Sequence, residues 1–276
     1  GLLGGNIGTP FSSNVLDEIT KNNDNHIHIL EISSFQMETI MHFKPNVCVF
    51  LNISPDHLNR HGTIEEYIKM KLNMAKNLDE NDFIVYNIDD KRLKNSFKKH
   101  PAKHSPFSIC DQNTEFCVYK TKIIDSKGNF LIDKKDISIP GKHNLSNLLA
   151  AATAAKLAKI PNDRIAHVFK TFTGVAHRLE YVFIKNNISY INDSKATNLD
   201  SVIVAINSIK KPLILLMGGR NKGADFRLIV PYVKSCHVKF IITYGEAAGE
   251  ILTALGDAVR SIREIDLNSA VKSAQS

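Results

Sequence analysis

Apolar residues recur along this chain with two periods. Short unbroken runs rich in Ile, Val and Phe, at 27–32, 47–53, 83–87, 188–192, 213–217 and 240–244, each end in polar residues or glycine. That is the pattern of strands buried on both faces. Between them apolar positions return at helical spacing, most clearly over 63–77 and in the Ala-rich run 145–159, which stops ahead of Pro161. Strands alternating with helices predict α/β layers around a mainly parallel sheet. The stretch 101–140 breaks the alternation. Its short strands, expected at 115–119 and 129–132, make it a β-rich insertion at one edge with no evident chemistry. A helical pattern through 164–172 gives way to Thr173-Gly174, and new strands start near Tyr181. The domain boundary is placed there, giving domains of 1–174 and 175–276.

The length of 276 residues agrees with two domains, each able to bury its own core. An apolar fraction of 43% and a charged fraction of 23% belong to a soluble globular protein. No apolar stretch approaches the ~20 residues that cross a bilayer, and no basic-then-apolar signal opens the chain, so a cytoplasmic protein without membrane insertion is expected. Cys48, Cys110, Cys117 and Cys236 are scattered and form no CxxC pair, which predicts free thiols. The net charge of +7 raises the question of nucleic acid. The lysines are spread, however, without the Arg-rich, aromatic-interleaved patches of nucleic-acid modules, and a solvated basic surface or attraction to an anionic nucleotide accounts for them better. The chain begins with Gly1, in what reads as the end of a strand running into a Gly-rich turn; this start reads as a cut.

In parallel α/β sheets ligands gather at the carboxyl ends of strands. Glu31 follows the apolar stretch 27–30, Asp56 and His57 follow 47–53, and Asp193, Ser194 and Lys195 follow 188–192. The turn 218–223 follows 213–217. A carboxylate and an imidazole at one sheet edge could hold a divalent cation or orient a charged substrate, and oxygen-rich ligation suits Mg²⁺ better than zinc. Plainer roles compete: Glu31 pairing with a surface lysine, His57 capping the next helix. Lys71 falls inside the stripe formed by Ile64, Tyr67, Ile68, Leu72 and Ala75, and so points inward. Either it snorkels its ammonium to the surface, or desolvation lowers its pKa and the neutral amine reacts, for instance with CO2 to give a carbamate that turns a cation into an anionic metal ligand. The pattern leaves both open. The turn Gly4-Gly5-Asn6-Ile7-Gly8 either cradles an anion with backbone N–H groups or makes a tight strand-helix turn. It is not GxGxxG, and the chain contains no GxxxxGK[ST] phosphate loop.

Taken in order, several segments resemble the Mur ligases almost from end to end. They are Gly4-Gly5-Asn6-Ile7-Gly8, Glu31-Ile32-Ser33-Ser34-Phe35-Gln36, Asn52-Ile53-Ser54-Pro55-Asp56-His57, 67–71, Gly141-Lys142-His143-Asn144-Leu145-Ser146-Asn147, Phe172-Thr173-Gly174-Val175-Ala176-His177-Arg178, Asn192-Asp193-Ser194-Lys195-Ala196-Thr197-Asn198 and 218–226. The resemblance implies a central three-layer, P-loop-NTPase-like α/β domain with a mainly parallel sheet, followed by a C-terminal Rossmann-like α/β domain. Ser-Ser-Phe-Gln after Glu31, and Asp-Ser-Lys-Ala-Thr-Asn, are most similar to the branch that adds D-glutamate to UDP-N-acetylmuramoyl-L-alanine in peptidoglycan synthesis. Other Mur enzymes and the folylpolyglutamate synthetases, the alternatives within the ligases, carry different residues after that glutamate.

The resemblance further implies a uridine-binding domain and a phosphate loop ahead of Gly1, a last strand and a D-glutamate-binding segment beyond Ser276, and therefore an inactive fragment. It implies ATP and Mg²⁺, an acyl-phosphate intermediate and a monomer. Carried over residue by residue, Glu31, His57 and carbamylated Lys71 hold metal, with Glu31, His57, Lys71 and Lys195 forming the catalytic set. Asn144 and Asn147 face adenine; Arg178, Asp193 and Lys195 address ribose and phosphates. Asn6, Ser33, Gln36 and His57 contact the nucleotide substrate, Thr197 and Lys222 receive D-glutamate, and His177 joins either ligand. A rival of another class, a non-catalytic nucleotide-binding module, leaves Glu31, His57, Lys71 and Lys195 without a role.

Overall fold

The computed structural model describes residues 1–21, 26–139, 141–235 and 237–275. Cys236 and Ser276, and the last residue of the 101–140 stretch, lie outside them. The first half of the chain runs β1 (Leu2–Gly5), α1 (Phe11–Lys21), β2 (His28–Glu31), α2 (Ser34–Met37), β3 (Val47–Phe50), α3 (Leu58–His61), α4 (Ile64–Leu72), β4 (Phe83–Asn87), α5 (Lys91–Ser96) and β5 (Lys103–Phe107). It continues with β6 (Phe116–Tyr119), β7 (Lys122–Asp125), β8 (Phe130–Asp133), α6 (Lys142–Leu157) and α7 (Asn162–Thr171). The second half comprises β9 (Glu180–Lys185), β10 (Ile188–Asn192), α8 (Leu199–Ser208), β11 (Leu213–Gly218), α9 (Val230–Ser235), β12 (Val238–Tyr244), α10 (Ala248–Leu255), β13 (Ser261–Arg263) and α11 (Leu267–Gln275).

The architecture is α/β with mainly parallel sheets, as the alternating pattern predicts. β1 pairs with β2, β3-β4-β5 form one parallel sheet and β11-β12-β13 another. Period-two alternation explains the layering around β4: Ile84 and Tyr86 face a core shared with Tyr67 of α4 and Leu93 of α5, while Val85 faces the opposite core with Leu148 and Leu149 of α6. Helices thus cover both faces of the sheet, which is why β3 and β4 read as continuous apolar runs. In the second half Ile206, Ile229, Ile241 and Ile251 close a third core around β11 and β12.

Four expectations change. The run 47–53 is a strand only as far as Phe50, because the backbone of Leu51 and Ile53 bonds to the side chains of Asn87, Asp90 and Arg92 instead of to the backbone of a neighbouring strand. The helix expected over 63–77 ends at Leu72 and tightens into a 3-10 turn at Asn73–Ala75. The Ala-rich helix starts earlier than its apolar run, at Lys142. Residues 103–107, assigned to the insertion, are the third strand of the parallel sheet; Pro106 and the polar Lys103, His104 and Ser105 hid an edge strand, where one open side tolerates such residues. The remaining insertion is a three-stranded antiparallel sheet, β6-β7-β8, whose Phe116, Ile123 and Ile132 pack in the same core as α6.

Cys48, Cys110 and Cys117 are free thiols. Among the described residues no helix is long and apolar enough to cross a membrane.

Candidate functional site

The carboxyl edges of β2 and β3 converge on the inner face of α4. Glu31 is the last residue of β2. It lies against the 4–8 turn, where the Asn6 N–H donates to the Glu31 carbonyl at 2.8 Å. A side chain on Gly5 would run into that same carbonyl, and Gly5 has φ +101°, so the close approach of turn and strand requires glycine.

Ser33 caps α2 and forms a reciprocal box with Gln36: the Gln36 N–H donates to Ser33 Oγ at 3.4 Å, and the Ser33 N–H donates to Gln36 Oε1 at 2.9 Å. The two side chains assigned to substrate contact are thus engaged with each other. Ser-x-x-Gln is a legible capping signal, and it went unread. From this short helix Phe35 lies between two imidazoles, edge-on to His57 at 4.8 Å and stacked on His61 at 5.6 Å. His61, with only 3% of its side chain exposed, also meets Ser34 Oγ through Nε2 at 3.0 Å. Arg60 forks onto Glu38 with contacts of 2.8 and 3.3 Å, tying α3 to the end of α2.

His57 occupies the N-cap position of α3 in the left-handed region, φ 54°, without a side-chain cap bond. Its N–H donates to Asp56 Oδ1 at 2.8 Å. Asp56, 12% exposed at the side chain, also accepts from Asn198 Nδ2 at 3.3 Å, a bond that spans the two halves of the chain. Lys71 is half-buried, with Nζ 5.4 Å from the Tyr67 ring centroid. Burial of its ammonium pulls the Lys71 pKa down, while the carboxylates of Glu31 and Asp56 oppose the shift. Burial, seconded by Asp56, pushes the Tyr67 phenol up to about 12. Glu31, Asp56, Tyr67 and Lys71 therefore share one electrostatic neighbourhood. Among the described residues no three His, Cys, Asp or Glu side chains are grouped to hold a metal by themselves.

A second cluster forms where α6 meets the segment after α7. His143, on the first turn of α6, has its pKa lowered by burial and by the Arg178 guanidinium, against the pull of Asp193. Asp193 accepts the Leu179 N–H at 3.0 Å; burial nevertheless raises its carboxyl above the usual range, with Leu179, Arg178 and His143 opposing. Asn144 and Asn147 lie on the same α6 turns. His177 takes φ 65°, and its Nδ1 meets Asn192 Nδ2 at 2.9 Å.

Asn198 caps α8 by accepting the Ser201 N–H at 2.9 Å, so the Asp56 contact brings the 192–198 motif to α3. A Cβ placed on Gly223 would lie 3.7 Å from Leu58 Cβ, so the 218–223 turn also abuts α3. Among the described residues the side chains of Lys195, Thr197 and Lys222 make no hydrogen bond or ion pair, and Lys195 and Thr197 are exposed. The sheet-edge pattern points to Asp56 beside His57 but not to Tyr67, His61, His143 or Asn198, although all of these but His61 lie inside the quoted motifs.

Residues 5–155 match the Mur ligase middle domain, and 177–276 match the Mur ligase, glutamate ligase domain. The UDP-N-acetylmuramoylalanine--D-glutamate ligase of Clostridioides difficile is 42% identical over 255 residues, covering 90% of this chain and 54% of the relative. That of Bacillus mycoides is 37% identical over 269 residues, covering 96% and 58%. The chain thus spans little more than half the length of the curated relatives it matches. Among solved structures, MurF from Acinetobacter baumannii has a TM-score of 0.71 at 12% identity, covering 99% of this chain and 69% of that one. UDP-N-acetylmuramate-alanine ligase MurC from Thermotoga maritima has 0.65 at 16%, covering 99% and 68%. These two likenesses speak for the fold. With the middle-domain match alone taking in more than half of its residues and the second match most of the rest, this chain belongs to the Mur ligase family.

Proposed function

We propose that this chain is the central and C-terminal part of an ATP-dependent ligase that joins D-glutamate to UDP-N-acetylmuramoyl-L-alanine, divided near residue 174. The observation that carries the reading is the half-buried Lys71 beside Glu31 and Asp56, with Asn198 of the other half bonded to Asp56. The relatives named as D-glutamate ligases support the choice of amino acid.

In the proposed reaction an oxygen of the alanine carboxylate attacks the γ-phosphorus of ATP and ADP leaves. The D-glutamate amine then attacks the acyl carbon, loses a proton, and expels phosphate. Such chemistry consists mostly of positioning and charge neutralisation. Asn144 and Asn147 face adenine, Arg178, Asp193 and Lys195 hold ribose and phosphates, and His143 lies between those two groups. Asn6 and His57 meet the nucleotide substrate, with Ser33 and Gln36 shaping the loop beside it through their mutual bonds. Thr197 and Lys222 receive D-glutamate, Lys222 by pairing with a carboxylate; His177, whose carbonyl accepts the Lys195 N–H at 3.0 Å, joins either ligand.

The donors at the sheet edge fit a hard divalent cation if Lys71 becomes a carbamate. An ammonium there would repel the ion, whereas a carbamate adds oxygen ligands to those of Glu31, with His57 alongside. Bound there, Mg²⁺ would neutralise charge on the phosphates. Burial, which favours the neutral amine, supports Lys71 in that role.

The test is a panel of amino acids offered to the full-length protein with ATP, Mg²⁺ and UDP-N-acetylmuramoyl-L-alanine. D-glutamate alone should drive phosphate release. Release with a diamino acid or a dipeptide in its place, or with L-glutamate and a folate in place of both substrates, would move the protein to another branch.

A further inference from the structure

Residues 51–57, between β3 and α3, carry Asp56 and His57 yet have neither ladder nor helix of their own. Backbone groups that leave regular structure must find other partners when buried. Here they find them on one neighbouring stretch. The Leu51 carbonyl accepts from Asn87 Nδ2 at 3.1 Å, the Ile53 N–H donates to Asp90 Oδ2 at 2.9 Å, and the Ile53 carbonyl accepts from Arg92 Nη1 at 3.2 Å. Ile53 itself is buried in the core beneath.

Two of the side chains that hold this segment, Asn87 and Asp90, are themselves held. Asn87 Oδ1 accepts the Asp89 N–H at 2.9 Å, which commits the donor end of its amide toward Leu51. Asp90 Oδ1 accepts the N–H groups of Arg92 and Leu93 at 2.8 and 3.2 Å, capping α5, so its other oxygen is aimed at Ile53. Asp89 in turn accepts from Ser108 Oγ at 2.6 Å and the Ile109 N–H at 2.9 Å, just past β5. The carboxyl edge of the sheet is stitched sideways, from β5 to β4 to β3.

We propose that Asn87, Asp90 and Arg92 are positioning residues for the ligase reaction: through the backbone of Leu51 and Ile53 they fix where Asp56 and His57 stand relative to Lys71. The proposal rests on the functional reading above. None of the three contacts the groups assigned to substrate or metal. Their leverage comes from geometry, since a displacement of about 1 Å in a reacting constellation can cost on the order of 100-fold in rate.

The experiment compares full-length wild type, the double variant Asn87→Ala/Arg92→Ala, and Arg92→Lys, whose ammonium can still donate to the Ile53 carbonyl. Asp90 is left intact because its capping of α5 would confuse stability with positioning. The double variant should lose about 10- to 100-fold in kcat, with KM for D-glutamate little changed and melting temperature close to wild type; Arg92→Lys should retain most of the turnover. Unchanged kcat in the double variant overturns the proposal. A loss that merely follows the unfolded fraction and affects Arg92→Lys equally overturns it too. Absence of D-glutamate-dependent turnover in the wild type would instead sink the functional reading. Amide exchange across 51–57 in the same proteins then decides the clamp alone: faster exchange in the double variant upholds it, and identical exchange overturns it.

Discussion

Lys71 is where charge and burial conflict most directly. Its ammonium is desolvated beside two carboxylates that favour keeping it charged, and conversion to a carbamate would reverse its sign without moving the helix. Lys71→Ala in the full-length protein is expected to remove most activity, with partial recovery on adding a short carboxylic acid. Lys71→Arg should not recover, because a guanidinium keeps its charge and does not add CO2. Near-normal turnover in Lys71→Arg, with and without bicarbonate, would establish an ordinary buried lysine. Asp193 gives an independent residue-level test. A carboxyl whose folded pKa is raised binds its proton more tightly when folded, so stability falls as pH rises from the unfolded to the folded pKa and stays lower above it. Asp193→Asn, which keeps an acceptor for the Leu179 N–H, should therefore melt higher than wild type at neutral pH and lose that advantage in acid, while turnover drops. A lower melting temperature at neutral pH would refute the assignment. Sequence alone reached Lys71 because helical periodicity places one charge in an apolar stripe. It did not reach His61, whose partners Ser34, Phe35 and Tyr67 become neighbours only once α2 and α4 pack together.

At the scale of elements, α4 carries Lys71 and is begun by Thr63, whose hydroxyl accepts the Glu66 N–H at 3.2 Å. Thr63→Ala should cost about 1 kcal/mol of unfolding free energy, and Thr63→Ser a small fraction of that; urea denaturation of both variants measures the difference. Equal costs would mean that the threonine methyl matters, not its capping oxygen. The strand read best in advance, 83–87, has an uninterrupted apolar run; 188–192 is a strand too, but it is not buried and pairs antiparallel with β9 in a two-stranded ribbon. The ones misjudged have their hydrogen bonds decided by tertiary partners. β3 stops early because side chains from the end of β4 and just beyond it claim its backbone, and β5 was missed because an edge strand is not obliged to look apolar. The N-terminal extension of α6 over Lys142-His143-Asn144 was likewise concealed by polar residues, which turn out to face the second half of the chain through His143.

At the scale of the whole molecule, the two matched domains meet at side chains of opposite halves: Asn198 on Asp56, and Arg178 and Asp193 beside His143. Ligand that engages both should draw the halves together. Small-angle scattering of the full-length protein is expected to show compaction with an ATP analogue and the nucleotide substrate, and no compaction would count against the assigned roles of Arg178 and Asp193. The 276-residue chain by itself, little more than half as long as its relatives, is expected to release no ADP in response to D-glutamate; measurable release would show that the further length of those relatives is not needed for the reaction. The parallel sheets were legible because they depend on periodicity, which every strand and helix repeats. The meeting of the halves was not, since it depends on single polar contacts that leave no period. Tyr67 adds an optical consequence. The chain has no Trp and seven Tyr, so tyrosine dominates its near-ultraviolet spectrum, and one of those rings lies against the Lys71 ammonium. Replacing that cation by an anion reverses the local field on the chromophore. A difference spectrum between CO2-free and bicarbonate-equilibrated protein would cancel the six other tyrosines and leave a Tyr67 band, absent from Lys71→Ala, that reads the chemical state of the lysine without any turnover.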